Sequence, residues 1–276
     1  MVRLGMFMDI THQKANGKNN LITVNRGSGL FYADNSAGAA TGNTIGFSPQ
    51  SNTGRIGVQV TESASPLIDG NTLTDDPLRA DTAFFLNVFV SSTLSVTNNQ
   101  ICVTGSDAAF QLSPGFFATG NPVTVSGNTL TCEEPAAFVL GNSTFTVDSS
   151  IGVFDGGSLF RIATNDLTVV QGVTLSLGAG VNFDLRGSEG FDLFIDGTLN
   201  ANGATFTNAD IQFREGSSGL IENSTIEGPA PLLVTGTTIP GGATPVFRNN
   251  IITATGNSAQ HGVAVTGTGA PAELSA

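Results

Sequence analysis

A chain of 276 residues is long enough for one large domain or two small ones. Its net charge of −12 is unevenly spread: Arg3, Lys14, Lys18 and Arg26 crowd the start of the chain, and beyond Arg26 stand six Arg, no Lys and 21 acids. Such a surface repels phosphate backbones, which excludes nucleic acid as a partner, and it disfavours polyuronates and sulfated sugars. Only 12% of residues are charged, but the 39% apolar share supplies the buried side chains that a disordered chain lacks.

The opening run Met1 to Asp9 is too short, and broken too early by Asp9, for a signal peptide. Nowhere does an apolar stretch approach the roughly 18 residues of a membrane span. Residues 1–20 read as a weak cap. A repeat then begins. Gly42-Asn43-Thr44-Ile45, Gly70-Asn71-Thr72-Leu73, Asn98-Asn99-Gln100-Ile101 and Gly127-Asn128-Thr129-Leu130 carry Asn43, Asn71, Asn99 and Asn128 at a nearly constant spacing. Weaker echoes follow at Gly203-Ala204-Thr205-Phe206, Asn223-Ser224-Thr225-Ile226 and Asn249-Asn250-Ile251-Ile252. Between the marks, Val123-Thr124-Val125, Val173 to Leu177 and Val181 to Leu185 alternate apolar and polar residues, the pattern of short strands with one buried face. Gly, Asn, Asp and Pro break these strands, and no helical pattern competes.

A sandwich of hairpins needs no sequence period, whereas a parallel solenoid repeats at every turn. The near-constant period therefore predicts an all-β solenoid with coils of roughly 20–30 residues, one domain over 1–276, and a linker-like tail over 267–276. Ile45, Leu73, Ile101 and Leu130 should form an inward aliphatic stack. The repeated Asn should take left-handed dihedrals and bond its amide to the Asn of the next coil. The 19 Phe, against one Tyr and no Trp, suit a dry interior. By the same alternation Cys102 should face outward and Cys132 inward, so the two should not bridge.

The Asn-polar-aliphatic marks, with the run Ile195-Asp196-Gly197-Thr198-Leu199-Asn200-Ala201-Asn202-Gly203, resemble the right-handed parallel β-helix proteins of the pectate-lyase-like superfamily, found among bacterial and archaeal secreted and cell-surface proteins. The resemblance covers roughly residues 40–255. It implies a right-handed β-helix and an extracellular or cell-surface location. It implies no activity, because such coils serve enzymes and adhesins alike.

Lyases of this fold need a basic residue beside calcium-binding acids, and Arg55, Arg79, Arg161, Arg186, Arg214 and Arg248 are scattered singly. Glycosidases need paired carboxylates, for which Asp75-Asp76 is the candidate catalytic pair; a plain turn between strands, before Pro77, is the favoured reading of it. Asp184, Asp192, Asp196 and Asp210 form a second acidic group. Alternation points each away from its apolar neighbours, so successive coils could bring them around one Ca²⁺, with a solvated acidic face as the alternative. His12 and His261 stand too far apart to suggest a metal site. The expectation is an extracellular or surface-exposed solenoid acting as a structural, adhesive or carbohydrate-contacting module of a larger protein. No cofactor other than calcium is expected, and polysaccharide or a cell surface is the expected partner. The alternatives are a glycan-active hydrolase or lyase working through surface carboxylates, and an element that self-associates end to end or laterally.

Overall fold

In a computed structural model, the structure describes residues 9–11, 14–24, 26–47, 54–74, 82–88, 92–102, 108–131, 137–140, 144–153, 159–162, 166–185, 192–235, 244–255, 261–266 and 273–275. Asp75, Asp76 and Cys132 therefore lie outside the described residues. Apart from a 3₁₀ turn at Pro114–Phe117, the regular structure within them is strand, and every pair of aligned strands runs parallel. The chain is an all-β parallel solenoid. Contacts divide it into two compact units: the first is Met1–Phe116, Gly120–Val139 and Phe154–Gly157; the second is Phe117–Thr119, Leu140–Val153 and Ser158–Ala276.

Each coil of the first unit visits three sheets in turn. Sheet A1 contains Asp9–Thr11, Ser28–Ala33, Ile56–Glu62, Thr82–Val88 and Ala108–Leu112. Sheet B1 contains Lys14–Lys18, Ala37–Thr41, Ser65–Asp69, Ser95–Thr97 and Thr124–Ser126. Sheet C1 contains Leu21–Val24, Thr44–Phe47, Thr72–Thr74, Gln100–Cys102 and Thr129–Leu130. Parallel neighbours need a long crossover, and here the trip through the other two sheets provides it. The sequence period is thus one circuit: Thr44 pairs with Thr72, and Thr72 with Gln100.

Register turns the sequence repeat into buried columns. Ile45, Leu73 and Ile101 stack at no more than 1% exposure, and Leu130 continues the column half-buried. In sheet A1, Leu30, Val58, Phe84 and Phe110 form a second column, and the last two rings stack with centroids 5.0 Å apart. Each such side chain contributes about 1.5–3 kcal/mol through burial. Sheet A1 also departs from simple alternation. Along Ile56–Glu62 both Gly57 and Val58 are buried in succession. A Cβ on Gly57 would come within 2.8 Å of both the Ala83 carbonyl oxygen and Leu73 Cδ2, so the column there is limited to the smallest residues.

The Asn repeat is a buried ladder running from coil to coil. Asn43 donates from its backbone N and from Nδ2 to Asn71 Oδ1 at 2.9 and 2.8 Å. Asn71 does the same to Asn99 Oδ1, both at 2.9 Å, and Asn99 to Asn128 Oδ1 at 3.1 and 2.8 Å. Asn20 opens the ladder by donating to Asn43 Oδ1. The expected left-handed dihedral belongs to the preceding residue instead: Asn19, Gly42, Gly70, Asn98 and Gly127 have φ between 56° and 71°. The turn is made by that residue, which leaves the ladder Asn free to point inward.

The second unit repeats the plan with shorter, uneven circuits. Sheet A2 contains Leu159–Ile162, Asn182–Asp184, Thr205–Thr207, Thr225–Gly228 and Ile251–Ala254. Sheet B2 contains Thr144–Phe145, Leu167–Val169, Leu193–Ile195, Ile211–Phe213, Leu232–Thr235 and Val263–Thr266. Sheet C2 contains Ser149–Ile151, Thr174–Leu177, Thr198–Asn202, Ser218–Glu222, Pro245–Arg248 and Glu273–Ser275. Phe160, Phe183 and Phe206 stack inside A2, and Val169, Ile195 and Phe213 inside B2. The Asn ladder is replaced here: Ala204 N donates to Ser224 Oγ, and Ser224 N to Asn250 Oδ1. Cys102 is disulfide-bonded, against the expectation from alternation. Cys132 is the chain's one other cysteine. Ladder register sets Ile101 opposite Leu130, so the next step puts Cys102 level with Thr131, one residue before Cys132. Adjacent coils lie about 4.8 Å apart, within the Cα separation that a disulfide spans.

Candidate functional site

The outer face of sheet B2 collects the chemistry of the second unit. The strand Leu193–Ile195 buries Leu193 and Ile195 and turns Phe194 outward, half-buried. Ile211–Phe213 buries Ile211 and Phe213 and turns Gln212 outward beside it, because Phe194 and Gln212 are register partners. Asp192 and Asp210 each stand one residue before these strands, and Asp166 holds the same position before Leu167–Val169. Asp196 and Arg214 each follow their strand by one residue.

Adjacent coils lie about 4.8 Å apart, so these positions interact directly. Gln212 Nε2 donates to Asp192 Oδ2 at 3.2 Å and to Asp210 Oδ1 at 3.3 Å. The backbone N of Asp192 donates to Asp166 Oδ1 at 3.1 Å. Burial pushes the Asp192 carboxyl up to about 6; the charge of Asp210, a hydrogen bond to it and the charge of Asp166 push the same way, and Arg214 pulls against them. Three like charges in one column raise the cost of ionising the middle one. Arg214 lies with Cζ 3.5 Å from the centroid of the Phe194 ring, and its Nη1 is 3.6 Å from Asp196 Oδ2. With both side chains about a third or more exposed, that ion pair stabilises by at most about 1 kcal/mol.

Of the acidic group expected from sequence, Asp192, Asp196 and Asp210 share this face. Asp184 does not. It ends the strand Asn182–Asp184 in sheet A2, is 3% exposed, and accepts a 2.8 Å hydrogen bond from Asn208 Nδ2 of the next coil. It is separated from the other three because its strand belongs to sheet A2, not to B2. Among the described residues, no three His, Cys, Asp or Glu side chains converge on a point where a metal ion would sit. Sequence reasoning missed Asp166, Phe194, Gln212 and Arg214. Their columns are hidden by uneven circuits: Thr168 pairs with Phe194 after a long circuit, and Phe194 with Gln212 after a much shorter one. Phe194 did carry a signal, as the one aromatic residue between two inward aliphatics in the run 193–195.

What the geometry defines is a class, the parallel β-solenoid with short uneven coils. No family model, curated protein or solved structure matches the chain. Among the described residues, no helix is long and apolar enough to cross a membrane.

Proposed function

We propose that this chain is an extracellular or surface-exposed solenoid module, built as a right-handed coil of the pectate-lyase-like type, that contacts carbohydrate through the outer face of sheet B2. The observation that carries this reading is the half-buried Phe194 ring, with the Arg214 guanidinium over one face, beside Gln212, Asp192 and Asp210. An apolar ring next to hydrogen-bonding groups suits the C–H face and hydroxyls of a sugar. The chain's acidic balance favours an uncharged glycan over polyuronates. The disulfide at Cys102 supports an oxidising compartment. A contact role is preferred to hydrolysis because one amide nitrogen, Gln212 Nε2, bridges Asp192 and Asp210 and fills the space between them that a hydrolase keeps for the sugar. Retaining glycosidases hold their carboxyls about 5 Å apart, and inverting ones farther still.

The test is a panel of neutral and acidic polysaccharides applied to the intact chain, with Phe194→Ala and Gln212→Ala beside it. Saturable binding to a neutral glycan, weakened about tenfold or more by either substitution while circular dichroism is unchanged, supports the reading. Binding that survives both substitutions, or binding to no neutral glycan, rejects it.

A further inference from the structure

The column Asp166, Asp192 and Asp210 has a property that is independent of any glycan. Two of its carboxyls belong to adjacent coils and are bridged by one amide, Gln212 Nε2, which reaches Asp192 Oδ2 at 3.2 Å and Asp210 Oδ1 at 3.3 Å. The same two coils are joined by the backbone bond from Leu193 N to Asp210 O at 2.9 Å, and the coil before is joined by Leu167 N to Asp192 O at 2.9 Å. Asp192 therefore sits at the centre of three coils, with acids on both sides. The charged groups facing it are Asp166 from the preceding coil, Asp210 from the following coil, Arg214 beyond Gln212, and Asp196 at the far end of its own strand.

A single bridging amide supplies two N–H donors, and here one nitrogen is shared between two carboxylates. With Asp192 ionised, two negative groups in neighbouring coils face each other across that shared donor. With Asp192 protonated, its hydroxyl donates to Asp210, the repulsion disappears, and both carboxyls remain bonded to Gln212. We propose that Asp192, Asp210 and Gln212 form a proton-operated clamp between adjacent coils of the second unit, closed in mildly acidic medium and weakened at neutral pH.

The sign follows from linkage. Folding raises the proton affinity of Asp192 above that of an unfolded carboxyl, so the clamp's stabilisation is full below the unfolded value near 4 and is lost as pH rises through about 6. An acidic chain also gains stability in acid through reduced self-repulsion. The experiment therefore compares variants. Melting midpoints of the intact chain are measured from pH 4.5 to 7.5 for the wild type, Asp192→Asn, Asp210→Asn and Glu222→Gln. Asn at 192 imitates the protonated acid. The wild type and E222Q should both gain about 2–4 °C more than D192N and D210N on going from pH 7.5 to 4.5. D192N should match or exceed the wild type at pH 7.5. A carbon-13 carboxyl titration should place the Asp192 midpoint near 6. A wild-type minus D192N difference that is flat across pH overturns the clamp, as does an Asp192 midpoint near 4. Neither result depends on the glycan panel, so the two readings fail separately.

Discussion

At the scale of single residues, the ladder asparagines show how much one amide can fix. Asn71 is fully buried, accepts two hydrogen bonds at Oδ1 from Asn43, and donates from Nδ2 to Asn99 Oδ1 and to the Ala40 carbonyl. A buried polar group left without its partner costs about 1–3 kcal/mol. Asn71→Ala orphans the amide of Asn43 as well as creating a cavity, so it should cost about 3 kcal/mol or more, read as a lower urea midpoint. Asn71→Asp should cost at least as much, because it retains the acceptors but brings an uncompensated charge into the interior. Equal stability of either variant with the wild type would show that water replaces the ladder. Tyr32 offers a cleaner optical test as the only tyrosine. Burial raises its hydroxyl from 10 to about 12. Its ultraviolet absorbance should therefore titrate near pH 12 while the fold holds. The stability Tyr32 lends is full below pH 10 and disappears as pH rises toward 12. A midpoint near 10 in a still-folded chain would contradict its burial.

At the scale of elements, the strands are too short to stand alone, and stability comes from columns running across coils. Phe84 lies in the middle of one, fully buried, between Val58 and Phe110. Phe84→Ala should cost about 3–5 kcal/mol, measured by urea unfolding. Phe84→Leu should cost clearly less, since it retains most of the volume. The disulfide at Cys102 acts on the same unit by a different route. If Cys132 closes the bond, it encloses a loop of about 30 residues, for which chain entropy predicts roughly 3.5 kcal/mol of stabilisation. Cys102→Ser and chemical reduction of the wild type should lower the urea midpoint by similar amounts. A large effect of the substitution without one from reduction would indicate that the serine hydroxyl perturbs packing and that the bond itself contributes little.

At the scale of the whole molecule, surface charge decides which partners can approach. Beyond Arg26, the chain carries 21 acids against six Arg. It should pass through a heparin column at about 50 mM salt, because long-range repulsion acts over a Debye length of more than about 10 Å under those conditions. Retention on the column would mean that the basic N-terminal stretch outweighs the acidic remainder, and it would reopen polyanions as partners. The same distribution explains why the Asp192 column matters: with few cations nearby, a carboxyl in this chain finds relief from repulsion more readily in a proton than in a salt bridge.

The sequence by itself determined the parallel solenoid, its coil length in the first unit, the Ile45–Leu73–Ile101 stack and the Asn ladder. A near-constant circuit writes each column into the chain at one spacing, so vertical neighbours can be counted off directly. The sheet B2 face was only partly legible. Asp192, Asp196 and Asp210 could be grouped by alternation, but the partners Phe194, Gln212 and Arg214 depend on circuits of unequal length that no single period predicts. Tertiary structure also decided the cases in which a strand ends or bends. Asp184 is buried at a strand terminus, Gly57 and Val58 are buried side by side, and the left-handed turn falls one residue before each ladder Asn. Alternation describes a continuing strand, and the path of the chain where a strand stops is set by the coil it must fit against.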